Sequence, residues 1–194
     1  VLDFCAGAGG KTLALAAAMK NKGRIVAADN DAKRLARLAP RLARSGARIV
    51  ETLKLDASGQ ALAKLAPFDR VLIDAPCSGS GTWRRAPDAK WRLTPERLAA
   101  HVETQAALLR QGAALVKPGG RLIYATCSIL PAEGSDRIAA FAAEAGKAFR
   151  VLNAADIWRA GLTGAPPFPG PAMLLTPHRH KTDGFFAAVL ERVT

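Results

Sequence analysis

Apolar residues in this chain fall into short β-branched runs, separated by longer stretches in which they recur every three or four positions. The runs at 1–5, 24–29, 48–52, 70–74 and 121–126 read as strands. Helical spacing fills 11–21 and 31–45, and Pro40 inside the second stretch predicts a kink. Thr94-Pro95-Glu96 joins a capping hydroxyl to a first-turn proline, so a helix starts there. Leu98, Val102, Leu109 and Val116 carry its apolar face to a stop at Lys117-Pro118-Gly119-Gly120. A helix over 132–145, a strand over 149–152 and an edge strand over 184–191 complete the series, with loops at 75–93 and 165–171. Strands alternating with helices predict an α/β fold, a mostly parallel twisted sheet of about seven strands with helices on both faces. One domain over 1–194 accommodates it.

Composition narrows the setting. Hydrophobic residues make up 49% of the chain, enough for a core, and no apolar run reaches the length of a membrane span. Three cysteines, odd in number and widely spaced, make neither a disulfide framework nor a zinc site, so a reducing cytoplasm and no metal are expected. Lys and Arg number 28 against 16 Asp and Glu, a net charge of +12 that suits a polyanionic partner, although an Ala/Arg-rich genome produces the same balance. Val1 is not an initiator Met and falls inside the first strand, which reads as a fragment of a longer chain.

Between the first strand and helix lies Cys5-Ala6-Gly7-Ala8-Gly9-Gly10-Lys11-Thr12. Glycines let backbone approach a ligand, and the following helix offers unpaired amides to an anion. A Walker A loop needs glycine where Cys5 stands, and the dinucleotide fingerprint needs Gly or Ala where Thr12 stands, so both fail. Asp29 ends the second strand, where an acidic residue accepts from ribose hydroxyls, and Asp56 follows the third, within reach of an adenine edge. An adenosine without a pyrophosphate, carrying a carboxylate at the helix start, describes S-adenosylmethionine. The plainer reading is that these glycines merely turn and these aspartates cap.

Two further cysteines stand just past strand ends, in Asp74-Ala75-Pro76-Cys77-Ser78-Gly79 and Ala125-Thr126-Cys127-Ser128. In an open parallel sheet both thiols then face one crevice, beside the cofactor loop. Cys5, on a core strand, reads as a buried hydrophobe.

Together these stretches resemble the S-adenosylmethionine-dependent RNA cytosine-5 methyltransferases with two active-site cysteines, the Sun-like enzymes of ribosomal and transfer RNA. The resemblance runs from Asp3-Phe4-Cys5 through Asp29, Asp56, the two cysteine motifs and Arg84-Arg85-Ala86-Pro87-Asp88-Ala89-Lys90-Trp91 to Thr182-Asp183-Gly184-Phe185-Phe186. Gly7, Ala8 and Gly134 depart from the family's usual Ala, Pro and Asn. It implies a Rossmann-like class I methyltransferase domain, lacking an N-terminal RNA-binding region, that works as a monomer on RNA. It also implies that Cys127 is the nucleophile and Cys77 the residue assisting release. In the DNA cytosine-5 enzymes the nucleophile lies instead in a Pro-Cys motif like Pro76-Cys77.

The chemistry suits thiols. Carbon 5 of cytosine is too electron-poor to attack a methyl sulfonium, and thiolate addition to carbon 6 supplies the missing density. Asp74, between cofactor and base, either donates to ring N3 as a buried acid or orients the site as a carboxylate. Arg84, Arg85, Lys90 and Trp91 join cations to an aromatic, which suits RNA phosphates and a stacked base, though Trp91 reads more readily as a packing anchor. The target cytosine must be unpaired or flipped out. His178, Arg179, His180 and Lys181 read as a solvated or RNA-facing basic cluster.

Overall fold

The structure, a computed structural model, describes residues 1–56 and 60–194. Five parallel strands form its main body: β1 (Leu2–Phe4), β2 (Ile25–Asp29), β3 (Val50–Lys54), β4 (Phe68–Asp74) and β5 (Val116–Thr126). Between them run α1 (Gly10–Ala18), α2 (Ala32–Ala36), α3 (Leu38–Ser45), α4 (Gln60–Ala63), α5 (Ala89–Arg92) and α6 (Pro95–Ala114). After β5 come α7 (Ser135–Ala145), β6 (Phe149–Leu152), α8 (Ala154–Gly161), β7 (Met173–Leu175), α9 (Pro177–His180) and β8 (Phe185–Arg192). The sheet order is β3-β2-β1-β4-β5-β8-β6, with β7 also paired to β8, so the described residues hold eight strands rather than about seven.

Burial explains the strand sequences. Every residue of β1 and β2 is buried, as covering both faces of a parallel sheet requires, and their runs are accordingly apolar except for Asp3 and Asp29. One core unites Leu2, Val26, Val71, Ile73, Leu122, Tyr124 and Leu190 across the sheet with Leu109 of α6 and Phe141 of α7.

Three expectations change. The strand over 184–191 is not an edge: β8 runs antiparallel between β5 on one side and β6 and β7 on the other. The break in the second helical stretch falls at Arg37, ahead of Pro40, which sits in the first turn of α3, where a missing N–H leaves no bond unmade. Lys117-Pro118-Gly119-Gly120 stops α6 but already belongs to β5. Phe68 pairs with Val116 and Arg70 with Arg121, so those four residues bulge opposite Asp69 alone. Among the described residues no helix is long and apolar enough to cross a membrane.

Candidate active site

The order of the strands reverses between β1 and β4, and the crevice beyond their carboxyl ends is where ligands bind in open α/β sheets. The loop after β1 forms one wall. It leaves the strand at Cys5 with φ 97°, a left-handed conformation costly for a side-chain-bearing residue, and turns again through Gly7 (φ 54°) and Gly9 (φ 80°). A Cβ on Gly9 would collide with Leu38 of α3, so only glycine lets the loop lie on that helix. Asp29 is almost fully buried and holds the loop. Its Oδ2 accepts from the Gly7 amide at 2.7 Å, and its Oδ1 from the Asp31 amide at 2.9 Å. Arg34 approaches the same carboxylate at 3.9 Å, and Arg41 donates to the Ala8 carbonyl at 2.6 Å.

Three features of this wall fit an S-adenosylmethionine cofactor. A Cβ on Gly10, at the first turn of α1, would meet no atom within 4 Å, so that helix end is open. Beneath it the Asp3 carboxyl is buried; Oδ2 accepts from the Thr12 hydroxyl at 2.5 Å while Oδ1 has no partner. Burial pushes the Asp3 pKa up to about 6, so a bound ammonium would both satisfy the orphaned oxygen and favour its charge. Asp29 and Asp56 lie at the carboxyl ends of β2 and β3, with Asp56 exposed.

The opposite wall carries the thiols. β4 and β5 are parallel neighbours with Asp74 opposite Ala125, and the Ala75 amide extends the ladder by bonding the Ala125 carbonyl at 2.9 Å. Both cysteines therefore leave the sheet at the same height, and the Cys77 and Cys127 sulfurs stand 3.3 Å apart. Glycines lock the two loops together. The Gly81 amide donates to the Cys127 carbonyl at 2.9 Å, and the Gly184 amide to the Gly81 carbonyl at 2.8 Å. Lys11 bridges the walls, with Nζ 2.6 Å from Asp74 Oδ2 and 5.2 Å from the centre of the Phe185 ring. Asp74 is one-third exposed and accepts its hydrogen bond from the Lys11 ammonium.

The sulfurs are electrically unequal. The Cys127 pKa is lowered to about 7, first by the hydrogen bond from Cys77, against burial and Asp74; a backbone hydrogen bond and Lys11 help. Cys77 moves the other way, through that same bond, through burial and through the nearby charge of Glu133. Sharing of the proton between the two sulfurs therefore favours the thiolate on Cys127 and the thiol on Cys77. Cys5 is raised to about 12 by burial and by surrounding aspartates, and is inert.

Outside the crevice the expected residues divide. Arg84 and Arg85 both pair with Asp183, at 3.0 and 2.6 Å, with their guanidinium groups more than half exposed. Trp91 is 81% exposed, so it is not a packing anchor; Lys90 Nζ lies 5.2 Å from its ring centre. His180 is structural, accepting from the Thr176 amide at 2.9 Å and donating to the Pro167 carbonyl at 2.7 Å, which ties down the proline-rich loop. Sequence reasoning missed Asp3 and Glu133 as site residues. A buried strand carboxylate beside a glycine loop was a readable signal for the first.

The sheet order, the switch-point loop and the acidic residue ending β2 define a class I S-adenosylmethionine-dependent methyltransferase fold. Residues 1–191 match the family described as 16S rRNA methyltransferase RsmB/F, and the chain belongs to that family. It is 38% identical over 190 residues to the ribosomal RNA small subunit methyltransferase B of Klebsiella pneumoniae, covering 98% of this chain and 41% of that protein. It is 35% identical over 202 residues to the probable ribosomal RNA small subunit methyltransferase B of Synechocystis, covering 99% and 43%. NSun6 from Pyrococcus horikoshii, solved with SFG, superposes with a TM-score of 0.83 at 26% identity, covering 100% of this chain and 47% of that one. The chain spans about two fifths of the length of these curated relatives.

Proposed function

We propose that this chain is the catalytic domain of a cytoplasmic enzyme that methylates carbon 5 of a cytosine in RNA, of the ribosomal or transfer class. One observation carries the reading: two sulfurs 3.3 Å apart at the ends of neighbouring parallel strands, beside a loop fit for S-adenosylmethionine. The names of the relatives, ribosomal RNA small subunit methyltransferases, favour RNA as substrate.

In this mechanism the Cys127 thiolate attacks carbon 6 of an unpaired or flipped-out cytosine and forms a carbon–sulfur bond. The ring electrons it displaces make carbon 5 nucleophilic. S-adenosylmethionine, held by the glycine loop, would supply the electrophilic methyl group for carbon 5, its sulfonium sulfur keeping the bonding pair of the broken sulfur–methyl bond and leaving as a neutral thioether. Cys77, having given its own thiol proton to solvent, then takes the proton from carbon 5; the carbon 5–carbon 6 double bond re-forms, and Cys127 leaves as thiolate. Lys11 and Asp74, locked to each other, orient cofactor and base. Gly7, Gly9, Gly10, Asp3 and Asp29 hold the cofactor, with Cys5, Ala6, Ala8 and Asp56 lining its loop and far end. Arg84, Arg85, Lys90 and the exposed Trp91 receive RNA beside the crevice.

Methyl-labelled cofactor offered with RNA and with DNA of the same sequence tests the reading. The expected product is 5-methylcytidine from RNA alone. Label in DNA, or on any other RNA atom, overturns it.

A further inference from the structure

Glu133 lies six residues past Cys127 in a single 3-10 turn (Pro131–Glu133), and it is fully buried. A buried carboxylate needs strong donors, and here each has a meaning. Oε1 accepts from the Ser78 amide at 2.8 Å and from Gln105 Nε2 of α6 at 3.1 Å; Oε2 accepts from the Ser78 hydroxyl at 2.5 Å. Gln105 also donates to the Pro76 carbonyl at 2.9 Å. The residues on both sides of Cys77 are therefore tied to one carboxylate. The Glu133 backbone is itself held from β5, where the Tyr124 hydroxyl donates to the Glu133 main-chain carbonyl at 2.9 Å.

The serine after the other cysteine joins the same system. Ser128 Oγ lies 2.9 Å from Ser80 Oγ and 3.5 Å from Ser78 Oγ, and accepts from the Leu130 amide at 3.1 Å. Both cysteine loops thus share a hydroxyl cluster that ends on Glu133. Charges around the sulfurs are also divided. Glu133 acts on Cys77, while Asp74 and Lys11 act on Cys127 in opposite senses; Tyr124 feels Cys77 and Glu133, opposed by Arg137.

We propose that Glu133 is the positioning residue that assigns the two thiols their parts. Its carboxylate pins the Cys77 loop at the sulfur–sulfur distance. Beside Cys127 the Asp74 carboxylate is paired with Lys11, whereas Glu133 forms no ion pair among the described residues, so its charge keeps the shared proton on Cys77 and leaves the thiolate on Cys127. The assignment of nucleophile and release residue, which rests on the cytosine reading above, then follows from a side chain outside both cysteine motifs. Glu133 touches neither substrate nor cofactor in this role.

The test needs no RNA and no methyl donor, so it separates this claim from the substrate reading. Purified protein is exposed to limiting iodoacetamide at about pH 7 and the label is mapped to Cys77 and Cys127 by peptide mass spectrometry. Wild type is labelled chiefly at Cys127. Glu133→Gln moves the partition toward Cys77 by about tenfold, the change in thiolate population made by one pKa unit. Glu133→Asp, which keeps the charge, restores most of the preference for Cys127. A packing role alone would lower stability without exchanging the labelled site. Ser78→Ala, which removes the hydroxyl bond to Glu133 together with the contacts to Ser128 and the Ser80 amide but leaves the charge, serves should Glu133→Gln not fold. It moves the partition in the same direction by at least about threefold, a loss of geometry without loss of charge. A partition within twofold of wild type in folded Glu133→Gln, or in Ser78→Ala where that variant is used, overturns the proposal. Glu133-dependent labelling in a protein that methylates no cytosine upholds it and overturns the substrate reading instead.

Discussion

Cys77→Ala tests how the thiolate is made. The first cause of the lowered Cys127 pKa is the hydrogen bond across 3.3 Å from the Cys77 thiol, and alanine removes that donor while burial and Asp74 still push upward. From about 7 back to the ordinary 9.0 is two units, nominally about 3 kcal/mol at ~1.4 kcal/mol per unit. Water reaches the half-buried pair and screens part of this, leaving about 1.5–3 kcal/mol, or a rise of one to two pKa units. At about pH 7.5 the thiolate fraction then falls from roughly three quarters to between roughly 3% and 25%. The rate at one pH understates the change, because a thiolate of higher pKa is intrinsically more nucleophilic. The assay is therefore the full pH profile of iodoacetamide alkylation at Cys127. Its midpoint moves from about 7 to about 8–9 and the high-pH plateau rises. Cys77→Ser keeps a hydroxyl donor and gives an intermediate midpoint. A midpoint within about half a unit of wild type in Cys77→Ala refutes the reasoning, since such a change is under ~0.7 kcal/mol.

Asp3, raised from 3.8 to about 6, binds more protons folded than unfolded, so its contribution to stability is present below pH 4 and lost as pH rises through 6. Asp3→Asn flattens that slope in thermal melts between pH 4 and 7, gains about 1–3 kcal/mol at neutral pH, and weakens cofactor binding by calorimetry. An unchanged slope contradicts the assignment. Gly81→Ala drives a methyl group onto the Gly184 carbonyl, where only backbone can yield, and the cysteine loops separate. It costs about 1–3 kcal/mol in denaturant titration and abolishes methyl transfer; full activity would show that the loop contact is dispensable. Trp91→Ala leaves stability within about 0.5 kcal/mol, being so exposed, and weakens RNA binding by about 1–3 kcal/mol if the ring stacks on a base. Unchanged RNA affinity removes Trp91 from the interface.

What sequence reasoning reached, and what it did not, follows from the range of the forces involved. The cysteine pair was legible because β4 and β5 both announce themselves as apolar runs, and a parallel sheet puts their ends on one edge. The cofactor loop was legible because its glycines answer local backbone demands at Gly7 and Gly9. The place of β8 inside the sheet was not legible, because the apolar run at Phe185–Leu190 says nothing of which strands bond it on either side. Glu133 escaped as a site residue because nothing near Pro131-Ala132-Glu133 signals burial. Its partners, Ser78 and Gln105, lie 55 and 28 residues away. Trp91 escaped in the opposite sense. An isolated aromatic among cations has no periodicity to say whether a core receives it, and here none does. Arg84 and Arg85 were read as free cations, but their counter-charge, Asp183, arrives from the turn before β8.

The most direct test of the account is a trapped intermediate. Cys77→Ala protein, RNA and S-adenosylmethionine are incubated together, denatured, digested and examined by mass spectrometry. The account predicts a peptide bearing Cys127 joined through sulfur to methylated cytosine, absent from the Cys127→Ser protein. A nucleotide attached elsewhere, or methylated RNA formed at the wild-type rate by Cys127→Ser, contradicts it.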